Sequence, residues 1–276
     1  PLLRARFQVM LNVKSLTKIF YPGSINERVA LDRVSLSLEK GQFTTIIGGN
    51  GAGKSTLLKC IAGIYQAEEG TVSLNGEEVT RLPDYRRAAS ICHVFQDPMV
   101  GTAASLTVEE NLALALRRGD KRRLRWAIAD SNRVFFQERL LSLQLGLEER
   151  LNSPVKLLSG GQRQALALLM TTLKEPKLAL LDEHTASLDP KTANTVLELT
   201  EKLIENQGIT TLMVTHNMEQ ALKMGHRTIM MHEGKIILDV SGPDRKNLTV
   251  SDLVDMFYEA SGEELQQDRL LLAKGR

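Results

Sequence analysis

The sequence predicts an α/β fold: a core of buried parallel strands with helices, an antiparallel β region beside it, and an inserted α-helical subdomain. Three observations predict it. The apolar run Phe43–Ile47 passes through a glycine-rich loop into a helical pattern at residues 55–62, a strand–turn–helix unit. Between residues 97 and 157 helical spacing replaces strand spacing. After residue 157 strand–helix alternation returns, with apolar strands at Leu178–Asp182 and residues 211–215.

Residues 1–9 are unlike the remainder and read as an N-terminal extension or cloning remnant, because Met10, Leu11, Asn12 and Val13 begin the first strand. Val34, Ser35, Leu36, Ser37 and Leu38 alternate as in a strand with one buried face. Val72, Ser73 and Leu74 run into the tight turn Asn75-Gly76. These strands belong to the antiparallel region. An apolar stretch at residues 91–95 ends at Gln96, and helices are expected over Val108–Leu116 and residues 126–145. Ile229, Met230 and Met231 face residues 235–238 across Glu233-Gly234, a hairpin signal. Beyond Gly242 the tail is helical around residues 248–260, and its role is unreadable in sequence. No internal repeat or low-complexity segment is present.

The loop Gly48-Gly49-Asn50-Gly51-Ala52-Gly53-Lys54-Ser55-Thr56 fits G-x-x-x-x-G-K-[ST] between a strand and a helix. Glycines let backbone N–H groups turn inward around phosphate oxygens, and the helix N-terminus adds positive potential. Lys54 supplies a point charge for the outer phosphates, and the Ser55 hydroxyl is placed to ligate Mg²⁺. The unit predicts a P-loop NTPase core of RecA-like type. The strand Leu178–Asp182 delivers Asp182 and Glu183 to the carboxyl edge of a parallel sheet, where ligands bind. Asp182 suits Mg²⁺, held largely through water, while Glu183 is free to orient or deprotonate an attacking water. Alone, this pair also fits a solvated acidic turn; behind a phosphate loop it fits nucleotide hydrolysis.

A third motif, Leu158-Ser159-Gly160-Gly161-Gln162, opens an apolar helix through Ala165, Leu166, Leu168, Leu169 and Leu173. It offers a second helix N-terminus able to receive phosphate, and Ser159 also suits plain helix capping. This motif resembles the signature of ABC-transporter ATPases, a resemblance covering residues 10–240. It implies that two copies pair head to tail around two MgATP, the signature of one closing over the phosphate loop of the other. It also implies roles for Gln96, as a Mg²⁺ sensor joining core to helical subdomain, and for Ser187-Leu188-Asp189-Pro190, as a loop reporting between subunits. His216 matches the switch histidine on the γ-phosphate. Phe20 matches the aromatic that stacks on adenine, with Tyr21 the alternative and core packing a third reading. On this resemblance the ATP-binding core is 10–96 with 158–240, the helical subdomain 97–157 and the C-terminal tail 241–276.

One departure is His184, where most of the family carries proline. A histidine there invites a pH-tuning role, although a tolerated loop substitution fits as well. The run from Asp182 through Pro190 resembles a bacterial importer branch that works with substrate-binding lipoproteins, commonly for amino acids. The implied function is ATP hydrolysis powering a membrane permease. The rivals are an exporter ATPase and a soluble ABC ATPase acting on ribosomes or DNA. Soluble members usually carry tandem nucleotide domains or long insertions, whereas this chain has one motif set with about a hundred residues between Lys54 and Ser159.

Composition agrees. At 276 residues the chain suits one large domain, or a core with an inserted subdomain. Net charge of +2 gives no global case for nucleic acid. No apolar run approaches the roughly 20 residues that span a bilayer. The expected location is therefore cytoplasmic, peripheral on the inner face of the membrane through a partner. Cys60 and Cys92 have no metal-like or redox spacing and read as reduced structural residues. A local basic run of Arg117, Arg118, Lys121, Arg122, Arg123 and Arg125 beside Trp126 reads first as a solvated face, then as lipid-proximal, last as a nucleic-acid patch. The resemblance places permease docking near residues 96–106, with Met99, Val100 and Leu106 as apolar anchors or core residues.

Overall fold

A computed structural model of the chain describes residues 8–120, 128 and 130–261. The chain divides into two compact units: one joins the part ending at Arg81 to the part beginning at Leu212, and the other is Leu82–Thr211. In chain order the first unit opens with β1 (Val9–Phe20), β2 (Arg28–Glu39), β3 (Phe43–Ile47), α1 (Lys54–Ala62), β4 (Glu69–Leu74) and β5 (Glu77–Glu78). The second unit contains α2 (Asp84–Arg87), β6 (Ile91–Val94), α3 (Val108–Leu116), α4 (Asp130–Leu141), α5 (Gly160–Thr172), β7 (Leu178–Asp182) and α6 (Pro190–Gln207). The chain returns to the first unit within β8 (Thr210–Val214), followed by α7 (Met218–Lys223), β9 (Arg227–His232), β10 (Lys235–Ser241), α8 (Gly242–Lys246) and α9 (Val250–Ser261).

In the first unit β2, β1, β4 and β5 form an antiparallel sheet in that order. The alternation in β2 is obeyed: Val34, Leu36 and Leu38 are buried while Ser35 and Ser37 face solvent. Strand β3 is buried along its whole length, as expected of a strand covered on both faces. It runs parallel to β9 with Thr45 opposite Thr228 and Ile47 opposite Met230. β9 and β10 close the expected hairpin, with Glu233 and Gly234 at φ 45° and 76°, left-handed values that match strand twist in a two-residue turn. The amide of Thr215, just past β8, donates to the Ile46 carbonyl at 3.1 Å.

In the second unit β6 and β7 run parallel, Ile91 opposite Leu178 and Val94 opposite Leu181. Leu112 of α3, Phe136 and Leu140 of α4, and Leu166 and Leu168 of α5 are fully buried there. Helix α3 begins with a capping box between Thr107 and Glu110, and α6 begins with Asp189 capping Thr192 and proline in its first turn. Helix α4 covers the interior of the helix expected at residues 126–145, of which 126, 127 and 129 lie outside the described residues. Lys121, Arg122, Arg123, Arg125 and Trp126 of the basic run also lie outside them. Arg118 donates to the Thr171 carbonyl at 3.0 Å. Among the described residues no helix is long and apolar enough to cross a membrane.

Candidate functional site: a phosphate loop, an acidic strand end and a signature helix

In the first unit the glycine loop is shaped by close backbone approach. Gly48 and Gly53 have φ 149° and 97°, and a Cβ on either would collide with backbone, the Met231 carbonyl oxygen at Gly48 and the Ala30 carbonyl oxygen at Gly53. Only glycine fits both demands. The Gly234 amide donates to the Ala52 carbonyl at 3.1 Å, and Arg28 donates to the Gly51 carbonyl at 3.0 Å. Lys54 is 5% exposed, with its ammonium donating to the carbonyls of Gly48 at 2.9 Å and Gly49 at 3.1 Å. This sets a buried ammonium inside the loop. Helix α1 has no side-chain cap and no acidic residue in its first turn, leaving its positive end for a ligand. Ser55 and Thr56 are half-buried on that turn, and Asn50 is exposed at the loop tip.

The same unit carries Phe20 and His216. Phe20 closes β1, its ring edge-on to Tyr65 with centroids 5.4 Å apart. The next residue, Tyr21, is 71% exposed at φ 53°. His216 is exposed in a turn held on both sides: Thr215 Oγ1 accepts from the Asn217 amide at 3.1 Å and donates to Gln220 Oε1 at 3.1 Å. Asn217 in turn caps the Gln220 amide at 2.9 Å.

In the second unit the pairing of Val94 with Leu181 brings Gln96 and the Asp182-Glu183 pair to the same carboxyl edge of two adjacent strands. Asp182 is buried and Gln96 exposed. Glu183 sits at φ 43°, a left-handed conformation uncommon outside glycine. Its carbonyl accepts from the Ala186 amide at 3.0 Å.

The signature helix α5 begins as a capping box: Ser159 Oγ accepts from the Gln162 amide, and Gln162 Oε1 accepts from the Ser159 amide, both at 3.2 Å. The capping role weighed for Ser159 is therefore present. Gly160 is exposed, whereas Gly161 lies where a Cβ would collide with the Thr192 side chain of α6. The second signature glycine thus sets the approach of two helices.

His184 does not have the tuning role its neutral-range side chain suggests. It is 2% exposed and its Nε2 lies 3.0 Å from Thr200 Oγ1. Thr200 spends its own hydrogen on the Val196 carbonyl at 2.7 Å, so the imidazole donates from Nε2. Burial lowers its pKa to about 4, and the ring stays neutral near neutral pH. The unfolded chain takes up that proton near pH 6.5. The associated stability is therefore complete above about pH 6.5 and is lost as pH falls toward 4, about 3 kcal/mol in all. In nucleotide-free and Mg²⁺-free protein, His184→Gln should flatten the acid limb of urea stability between pH 7 and 4.5 by about 2–3 kcal/mol relative to wild type. An unaltered pH slope in that variant would refute the assignment. Cys92 is also buried, which pushes its thiol up to about 11, as fits a structural cysteine.

Sequence reasoning missed the supports. Asn111 reaches back from α3 to the Ala103 and Thr107 carbonyls at 3.0 and 2.9 Å, pinning the segment that leads on from Gln96. Thr200 and Arg245 likewise acquire roles only through contacts distant in sequence.

The ABC transporter family model matches residues 31–186, more than half of the chain. A tyrosine transport ATP-binding protein of Clostridioides difficile is 44% identical over 252 residues, covering 91% of this chain and 100% of that protein. A methionine import ATP-binding protein of Haemophilus influenzae is 33% identical over 233 residues, covering 83% of this chain and 64% of that protein. Among solved structures, the dimeric post-hydrolysis state of an ATP-binding cassette bound to ADP and Pi superposes with TM-score 0.73 at 30% identity, covering 84% of this chain and 98% of that one. With a phosphate loop, an acidic strand end and a signature helix in the expected order, the chain belongs to the ABC transporter family, as an ATP-binding subunit that hydrolyses ATP.

Proposed function

We propose that this chain powers an importer of a small solute such as an amino acid. It works as a pair of copies on a transmembrane permease, at the cytoplasmic face of the membrane, with a substrate-binding lipoprotein delivering the solute outside. The observation carrying this reading is the 44% identity to a tyrosine transport ATP-binding protein along that protein's whole length.

The residues suit MgATP. The glycine cradle and the buried Lys54 ammonium offer a fixed cation and inward amides to the β- and γ-phosphates. Ser55, Asp182 and Gln96 are the proposed Mg²⁺ holders, and Phe20 the adenine platform. Bound Mg²⁺ supplies charge neutralisation at the outer phosphate oxygens. Glu183 orients and deprotonates the attacking water, and His216 hydrogen-bonds the γ-phosphate. Ser159, Gly160, Gly161 and Gln162 of the second copy close over that phosphate; the ATP-binding core is residues 10–96 with 158–240, and the helical subdomain 97–157.

The second unit contains a cavity of about 360 Å³ lined by Phe95, Val100, Leu114, Arg118 and Met170 among others. Val100 and Leu114 are exposed at 64% and 57%, which supports permease docking there. Leu106 is half-buried and is not in that lining; the Met99 sulfur accepts from Arg163 at 2.9 Å. The test is to recover tagged Glu183→Gln protein from gently solubilised native membranes with MgATP and identify its partners by mass spectrometry. A multispanning membrane protein together with a solute-binding lipoprotein is expected. A permease without the lipoprotein would point to export, and ribosomal or DNA-bound proteins alone would overturn the transport reading.

A further inference from the structure

We infer that Arg245, in the C-terminal tail, is a positioning residue for His216, acting by anchoring the far end of α7. This rests on the reading of His216 as the γ-phosphate contact.

Helix α7 has six residues and begins two residues after His216. A helix that short is unstable alone and leaves its last carbonyls without intrahelical partners. Its start is fixed by the Thr215, Asn217 and Gln220 bonds described above. Its end is held by side chains from outside the helix, with Arg245 making most of the bonds. Arg245 is 8% exposed, and its NH2 group donates to the carbonyls of Ala221 at 2.7 Å, Leu222 at 3.0 Å and Met224 at 2.6 Å. Two hydrogens serve three acceptors, so the bonds are shared across the helix terminus. None of these partners is a carboxylate; the cation is balanced by the negative end of α7.

The same cluster reaches the strand that feeds the phosphate loop. Arg245 Nε donates to Thr228 Oγ1 at 2.8 Å, Thr228 Oγ1 lies 3.0 Å from Thr45 Oγ1, and Thr45 Oγ1 donates to the Ala221 carbonyl at 3.1 Å. Thr45 is in β3, three residues before Gly48. Helix α7 is therefore tied to β3 at both ends, at its start through Thr215 on Ile46 and at its end through this cluster. Leu253 of α9 packs with Ile47, Ala221 and Met230 beside it. Exclusion of water strengthens such bonds. Loss of the guanidinium would remove its bonds to the Leu222 and Met224 carbonyls and leave Ala221 to the threonines alone, loosening α7 and letting His216 wander from the position set by its turn.

The test compares Arg245→Met, Arg245→Lys, His216→Ala and the His216→Ala/Arg245→Met double variant. For Arg245→Met, amide hydrogen exchange should speed up at residues 216–224. Its kcat should fall about 10–100-fold, with ATP affinity within about twofold of wild type. Arg245→Lys should recover part of both losses, because an ammonium carries fewer donors in a different geometry. In the His216→Ala background, Arg245→Met should cause no further loss of kcat, since a group acting through His216 has nothing left to position. Wild-type kcat in Arg245→Met, unchanged exchange over 216–224, or an equal additional loss in the double variant would each overturn the positioning role. Wild-type turnover in His216→Ala would instead overturn the assignment of His216 itself.

Discussion

Glu183→Gln is expected to bind MgATP within about twofold of wild type while hydrolysing it about 10²–10⁴-fold more slowly, the loss typical of removing a general base. The substitution keeps the size and shape of the side chain and removes its ability to take a proton. The backbone of the local turn has supports that the substitution leaves in place. The turn after β7 is held by backbone, with the Ala186 amide on the Glu183 carbonyl and the Leu188 amide on the Thr185 carbonyl at 3.0 and 3.2 Å, and by the His184–Thr200 bond. The left-handed backbone at residue 183 is open to glutamine as to glutamate, since the barrier there is steric. Isothermal titration with ATP and a phosphate-release assay on the same preparation separate the two effects. Turnover near the wild-type value would remove Glu183 from the chemistry.

Lys54→Ala should weaken binding itself, by about 10²–10³-fold in Kd, because on the proposed reading it deletes a charge-assisted contact worth roughly 3–4 kcal/mol to the outer phosphates. The structure adds a reason beyond charge. Lys54 is packed inside the loop and bonded to the Gly48 and Gly49 carbonyls, so its removal also frees the backbone that surrounds the phosphates. Lys54→Met, which keeps the aliphatic stem, should lose affinity to nearly the same extent while holding the melting temperature closer to wild type. A titration showing unchanged ATP affinity in both variants would contradict the assignment of the loop.

Much of the candidate site is legible in sequence because its proposed chemistry is written in short spans. A phosphate cradle needs glycines, a lysine and a helix start within nine residues, and an acidic strand end needs only an apolar run before it. The hairpin at Glu233-Gly234 and the alternation of β2 were legible for the same local reason. His184 was not. Beside charged and polar neighbours its type and position suit a solvent-facing loop, yet the turn folds it inward onto Thr200, sixteen residues on. Gly161 was assigned to phosphate binding, and sequence gave no sign that Thr192 would pack against it.

The sequence by itself therefore determined the α/β class, the order of the nucleotide motifs and the family, because each depends on local backbone geometry and residue chemistry. Only the tertiary structure decided which polar residues became supports. Arg245 stands among Ser241, Gly242, Pro243, Asp244, Lys246 and Asn247, a stretch with every mark of a solvated turn. Its partners are three backbone carbonyls and a threonine hydroxyl from 17 to 24 residues away. Carbonyls are present at every residue and leave no trace in a residue pattern, so a buried cation they satisfy can be recognised only once the chain has packed.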